Sequence, residues 1–212
     1  TLYSYQISEI TKDIFAVADV IGAEDFHLIG HDWGAVAGWS AVLTNPSRIT
    51  SWTALSFPHP AAFGAALLDD LDQQERSSYV AFFQTPWLPE TVFSFNSFSV
   101  LKALLAGMSD EKMKEYINVF SEPGALTSAL NWYRALGDDL LFEVEGFESL
   151  EVKTPTLFLW GNQDQSVGRV AVDGMAELMK GPYTNIELEA GHWLFVDQPE
   201  RVISEILIHI DQ

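Results

Sequence analysis

The sequence contains no cysteine, so neither disulfides nor thiol chemistry can operate in this chain. Basic residues are scarce as well. Eleven Lys and Arg against 30 Asp and Glu leave a formal charge of −19. Such a chain repels nucleic acid and anionic membrane surfaces and suits an acidic, water-soluble enzyme or a salt-tolerant one. No apolar run reaches the roughly 18 residues that a membrane-spanning helix needs. Internal repeats, low-complexity segments and His or carboxylate clusters at metal-ligand spacing are lacking, and no glycine-rich phosphate loop follows a strand. No signal-like stretch opens the chain, which starts at Thr1. The expected compartment is the cytoplasm, with a leader left open because the N-terminus reads as incomplete.

What is present is core-forming material. Of 212 residues, 48% are apolar and 13% aromatic, enough for one large domain or a domain carrying an insertion. Ser8 can cap an opening helix in which Ile10, Ile14, Val17, Ala18 and Ile21 recur at helical spacing, and Gly22 can stop it. "DFHLIG" and "RITSWTALSF" read as buried strands without polar alternation, which suits a parallel sheet covered on both faces. A small-residue helix over 34–44 lies between them. From 61 to 148 the pattern is helical throughout, with patches at 62–71, 74–83, 100–105, 110–120 and 125–136. Strand character returns at 156–160, followed by a helix over 169–179, the strand "NIELE" and a last helix from Glu200. This order predicts an α/β fold in three parts: a first piece of core over 1–60, a helical cap over 61–148 and a second piece of core over 149–212.

In that frame "GHDWG" is a strand-to-helix turn. Glycines on either side are expected to permit a sharp corner and close approach of helix and strand. The residue at its centre projects above the sheet at a helix N-terminus, where the macrodipole favours an anion. A serine there would attack acyl carbons. Asp32 is there instead, and a carboxylate can displace a leaving group at a tetrahedral carbon to give an alkyl ester of the enzyme. Release of that ester needs activated water and hence a general base near neutral pH. His192 in "EAGHWLF" is the candidate, and Asp164 in "LFLWGNQDQS" can orient it. The backbone N–H of Trp33 follows the nucleophile and can hold the oxyanion. Chain order is nucleophile, acid, base, at the C-terminal ends of three strands, where open α/β sheets place their sites. Among the remaining histidines, His31 and His59 read as structural, His27 as a satisfied strand residue and His209 as a surface position on the last helix.

The stretches "HLIGHDWGA", "LSFPHPAAF", "YVAFFQTPWLPE", "LNWYRA", "FLWGNQD" and "AGHWLFVDQPERV" occur in one order along nearly the whole chain. They resemble the aspartate-nucleophile branch of the α/β-hydrolase superfamily, close to the soluble-type epoxide hydrolases. The resemblance implies a parallel sheet, of about four strands in this chain, with an inserted helical cap. It also implies two cap tyrosines that bind the epoxide oxygen and give it a proton, and Tyr79 and Tyr133 fall on those positions. Phe57, Pro58, Phe82, Trp87 and Trp193 are the expected pocket lining. The implied reaction converts an epoxide to a diol with water alone, without cofactor or metal, on a small apolar epoxide or halogenated substrate. A haloalkane or haloacid dehalogenase on the same scaffold, and a non-catalytic capped-pocket binding protein or inactive shortened homologue, are the alternatives. Relatives carry further strands before the nucleophile strand and a His-Gly-x-Pro loop with a second oxyanion donor; neither is found in this chain. The sequence therefore reads as N-terminally truncated relative to the family. "FHLIG" would then expose a strand edge open to another copy or a complementing segment.

Overall fold

The structure is a computed structural model and describes residues 1–104, 109–136 and 149–212. Its four strands, β1 (Phe26–His31), β2 (Ile49–Leu55), β3 (Thr156–Gly161) and β4 (Tyr183–Leu188), form one parallel sheet in sequential order. β2 and β3 are central. They are buried almost continuously, on both faces, which accounts for the lack of alternating charged positions in their sequences. β1 departs from the expectation of cover on both faces and agrees with that of an open edge. It pairs only with β2 among the described residues, and Ile29 is 47% exposed. An apolar strand sequence reports the neighbours for which it was selected, and does not distinguish an interior strand from an edge one.

The chain separates into two compact units, one of Thr1–Gln6 with the described part of 78–138, the other of Ile7–Ser77 with the described part of 139–212. In the sheet unit, α1 (Ile7–Ile21) starts two residues earlier than a Ser8 cap would allow. Its inward face carries Ala18 and Thr11, whose hydroxyl lies 2.9 Å from that of Ser40, while Val17 and Ile21 of the expected apolar stripe are exposed. Gly22 ends this helix with φ +75, as its position suggested. The next helix, α2 (Trp33–Thr44), is buried over almost all of its surface, which explains its run of small residues. A Cβ on Gly38 would fall 2.0 Å from the Trp52 indole, so helix and strand approach where only glycine fits.

The helical stretch expected from 61 is divided. Two helices, α3 (Pro60–Asp69) and α4 (Leu71–Arg76), cluster with the sheet. The helix expected over 74–83 is two, because the peptide turns at Ser77 between α4 and α5 (Tyr79–Gln84). With α5 go α6 (Leu88–Leu104), α7 (Asp110–Ser121) and α8 (Ala125–Arg134), which make the helical unit around Phe93, Leu101 and Leu130. The helix α6 breaks at Phe95, after which Asn96, Ser97 and Phe98 all have positive φ. Arg134 grips Glu90 with two hydrogen bonds of 2.6 and 2.8 Å and Thr85 O with a third of 2.9 Å, joining α8 to the start of α6. The expected helical character of 137–148 lies outside the described residues. Downstream, the helix expected over 169–179 is only α9 (Arg169–Asp173), and the chain continues through the short α10 (Leu194–Asp197) to α11 (Pro199–Ile210). His209, expected at the surface, is half-buried with Nε2 3.2 Å from Trp52 O. His27 is satisfied by Ser51 Oγ at 2.8 Å.

His59 is completely buried, and its Nδ1 accepts the Ala61 N–H at the start of α3. Burial, only partly offset by the nearby Leu150 backbone, lowers its pKa to about 4. A histidine depressed on folding contributes stability that is complete above its unfolded pKa of roughly 6.5 and is lost as pH falls toward the folded value. The gap corresponds to about 3 kcal/mol. Urea unfolding is expected to show stability falling between pH 6.5 and 4, and His59→Asn, which keeps a cap acceptor, is expected to flatten that slope. Equal slopes in both proteins would exclude His59 as its source.

Candidate active site

β1 delivers the chain to Asp32, which caps α2 in a conformation that a non-glycine residue rarely adopts, φ 54 and ψ −121. The expected role of the two flanking glycines therefore needs correction. The positive φ falls on Asp32 itself. Gly30 is required for space, because its Cβ would lie 2.4 Å from Gly34 O, whereas a Cβ on Gly34 would meet nothing within 4 Å. The corner turns the carboxylate back over the helix N-terminus, where Oδ2 accepts the Trp33 N–H at 2.6 Å.

The other two side chains arrive from the loops after β3 and β4. Asp164 is 1% exposed, and its Oδ1 accepts the N–H groups of Ser166 (2.7 Å) and Val167 (3.1 Å). Its Oδ2 stands 2.8 Å from His192 Nδ1, and His192 Nε2 stands 2.8 Å from Asp32 Oδ1. Each of the three residues named from the motifs thus meets its chemical neighbour. The main chain of His192 is anchored too. Its carbonyl accepts Ser56 Oγ at 2.7 Å and pairs with His31 Nε2 at 2.9 Å. Ser56, at the end of β2, is fully buried and has φ 66. Nothing in the sequence singles this serine out. A serine at a strand end is common, and the carbonyl it holds is 136 positions away.

Burial opposes charge on His192, but the hydrogen bonds and negative charges of Asp164 and Asp32 prevail and raise its pKa to about 10. Asp32 shows the counterpart: burial pushes its carboxyl up, while the hydrogen bond and charge of His192 bring it below the ordinary range. His31 is pushed down by burial. Its ring packs 4.9 Å from both Trp193 and Phe195, centroid to centroid, which supports the reading of His31 as structural. With Asp32 ionised, the resting site is therefore a carboxylate, an imidazolium and a second, buried acid in one hydrogen-bonded line. Such a line can deliver a nucleophilic carboxylate oxygen and afterwards take a proton from water.

The remaining expected residues are distributed between the two units. In the helical unit Tyr79 and Tyr133 stand edge to face with ring centroids 6.0 Å apart, and Phe83 packs on both. Phe82 belongs to the core of that unit, and Trp87 is 72% exposed with φ 55. In the sheet unit Phe57 and Pro58 are buried, with the Phe57 ring tilted against that of Phe63, and Trp193 is 47% exposed beside His31.

A four-stranded parallel sheet with a strained strand-to-helix corner, an acid loop and a histidine loop on successive strands defines an α/β-hydrolase, and the chain belongs to the alpha/beta hydrolase fold family, whose profile matches residues 1–199. Among individual proteins, it is 34% identical over 212 residues to Epoxide hydrolase 4 of Homo sapiens, covering 94% of this chain and 57% of that protein. It is 31% identical to AB hydrolase superfamily protein YfhM of Bacillus subtilis (strain 168), covering 98% of this chain and 73% of that one. The crystal structure of Bacillus megaterium epoxide hydrolase in complex with an inhibitor superimposes with a TM-score of 0.89 at 25% identity, covering 100% of this chain and 78% of that chain. The chain thus spans a little over half the length of its human relative.

Proposed function

We propose that the protein is a hydrolase that opens epoxides to diols through an ester on Asp32. The observation that carries the reading is the continuous line Asp32–His192–Asp164, with a carboxylate on the strained corner. The relatives named epoxide hydrolases support it.

Asp32 Oδ2 is held by the Trp33 N–H, the donor that later faces the oxyanion, and Oδ1 accepts from the His192 ring; the attack is assigned to Oδ1, through a lone pair that His192 does not occupy. That lone pair forms a bond to an epoxide carbon and the ring C–O bond breaks. The alkoxide takes a proton from the phenol of Tyr79 or Tyr133, a hydroxyl that can donate a hydrogen bond to the epoxide oxygen before giving up the proton. The adjacent rings of these tyrosines favour an epoxide over a haloalkane, whose halide leaves without a proton. Esterification removes the charge of Asp32. His192 thereby loses one of the two carboxylates that hold its pKa up and sheds a proton to solvent, and the phenolate left by the first step takes an equivalent proton back from solvent. Neutral His192 then removes a proton from water, whose oxygen attacks Asp32 Cγ. The oxyanion forms on Oδ2 against the Trp33 N–H. Collapse expels the diol oxygen, which takes the proton of the new carboxylic acid. Asp32 is left ionised and His192 protonated, as at the start.

Mass spectrometry after brief exposure to a small aryl epoxide is expected to show one adduct on the peptide containing Asp32. The same adduct from a haloalkane, with halide release and none from epoxides, would instead indicate a dehalogenase; no adduct from either would exclude the mechanism. Tyr79→Phe with Tyr133→Phe is expected to slow adduct formation from epoxide by roughly 10²–10⁴-fold.

A further inference from the structure

The loop that presents Asp164 is gripped from outside by α4, a helix of the sheet unit with no place in the mechanism above. Gln73 is fully buried, although glutamine is seldom buried unless all of its polar atoms are paired. Its Oε1 accepts the Gly168 N–H at 2.8 Å, and its Nε2 donates to Ser166 O at 2.9 Å and to Ser77 Oγ at 3.0 Å. One turn further on, Arg76 Nη1 donates to Asp164 O, while its Nε is fixed by Asp72 Oδ2 at 2.7 Å. Asp70 in turn caps the helix by accepting from Asp72 N and Gln73 N.

These bonds alternate with those that hold the carboxylate. The Ser166 peptide N–H donates to Asp164 Oδ1 while its carbonyl accepts from Gln73, so the segment carrying the Asp164 donors is pinned on its other side by α4. Gly168 is also closely bounded there, since a Cβ would lie 2.9 Å from Asp72 Oδ2. Without the glutamine amide, the buried Gly168 N–H and the partly buried Ser166 carbonyl would lose these partners, a cost the loop could relieve by moving. Such movement would carry Asp164 away from His192.

We propose that Gln73 and Arg76 are positioning residues that fix the 162–168 loop so that Asp164 stays in hydrogen-bond reach of His192. Their kinetic consequence rests on the hydrolase reading, because only the water step depends on His192 as a base. The geometric consequence does not. Among the described residues, the charged and titratable groups that face His192 are Asp32, Asp164 and His31, and of these Asp164 is held by α4.

The test is an NMR titration of the His192 ring in the substrate-free protein, comparing Gln73→Leu, Gln73→Glu and Arg76→Gln with the parent. Gln73→Leu is expected to lower the His192 pKa by about one unit, tenfold in proton affinity. Gln73→Glu retains the acceptor for Gly168 N–H and should lie between the two. Arg76→Gln, at a partly exposed site, should shift the titration in the same direction. If Gln73→Leu does not fold, the Arg76 variant decides. Unchanged titration in the folded variants would overturn the proposal. In turnover, kcat and KM for an epoxide are expected to fall together about tenfold in Gln73→Leu, because the slowed step follows ester formation. A shifted titration in a protein that turns over no epoxide would leave the positioning role standing and remove the epoxide reading instead.

Discussion

Asp32→Ala is expected to lower diol formation from a small aryl epoxide by at least ~10³-fold, equivalent to about 4 kcal/mol of barrier. The same variant should leave no adduct detectable by mass spectrometry. The effect is large because, in the proposed mechanism, Asp32 is the group that forms the bond. Its alternative acceptor, Asp164, is buried and already takes two backbone N–H groups and the His192 ring. Asp32→Asn keeps the shape and an acceptor for Trp33 N–H, so it separates chemistry from folding. Its activity should be equally low, while its fold is retained. Turnover within tenfold of the parent in both variants would show that Asp32 is not the nucleophile. Because His192 is held protonated partly by Asp32, both variants should also lower its titration midpoint from about 10.

His192→Gln is expected to separate the two half-reactions. Attack by Oδ1 needs no base, so the ester should form, with a burst approaching one equivalent per chain. Its hydrolysis should slow by roughly 10²–10⁴-fold, and the adduct should persist for as long as the protein is kept. A variant that neither turns over nor accumulates ester would place His192 before the first bond-forming step. A second readout comes from stability. The folded pKa of His192, about 10, lies above the unfolded value near 6.5. Its contribution is therefore fully present below pH 6.5 and is lost as pH rises through 10. The stability difference between the parent and His192→Gln, measured by urea unfolding, should be largest at or below neutral pH and shrink toward pH 10.

Much of the architecture was legible because it is local. The apolar runs around "HLIG", "WTALSF" and "TLFLWG" are strands, and the small-residue segment after Asp32 is a helix buried on nearly all sides. Spacing also singled out Asp32, Asp164 and His192, since each follows a strand in a motif of its own. The errors have a common cause. The cover expected on both faces of β1, the length of the helix expected over 169–179 and the surface placement of His209 each depend on which distant segment covers a residue. Hydrophobic periodicity records that a face is to be buried and is silent about the element that buries it.

The glycines of "GHDWG" show the limit most clearly. Their presence suggests a turn in which they supply the unusual dihedrals, yet the unusual dihedral belongs to the aspartate, and only Gly30 is confined by its neighbours. Ser56, Gln73 and Arg76 carry no signature at all. Each acts on a carbonyl or amide far along the chain, and any hydroxyl, amide or guanidinium side chain in sequence has the same nominal capacity to do so.

By itself the sequence determined the order of elements, the parallel α/β class and a chemically consistent trio of Asp, Asp and His, because propensity, periodicity and motif spacing act over a few residues. Tertiary structure alone decided that the three form one line of 2.8 Å contacts, that two carboxylates outweigh burial at His192, and that α4 braces the acid loop. Those properties depend on distances between segments from 28 to 160 residues apart and on the exclusion of water around them. Neither exists until the sheet has assembled.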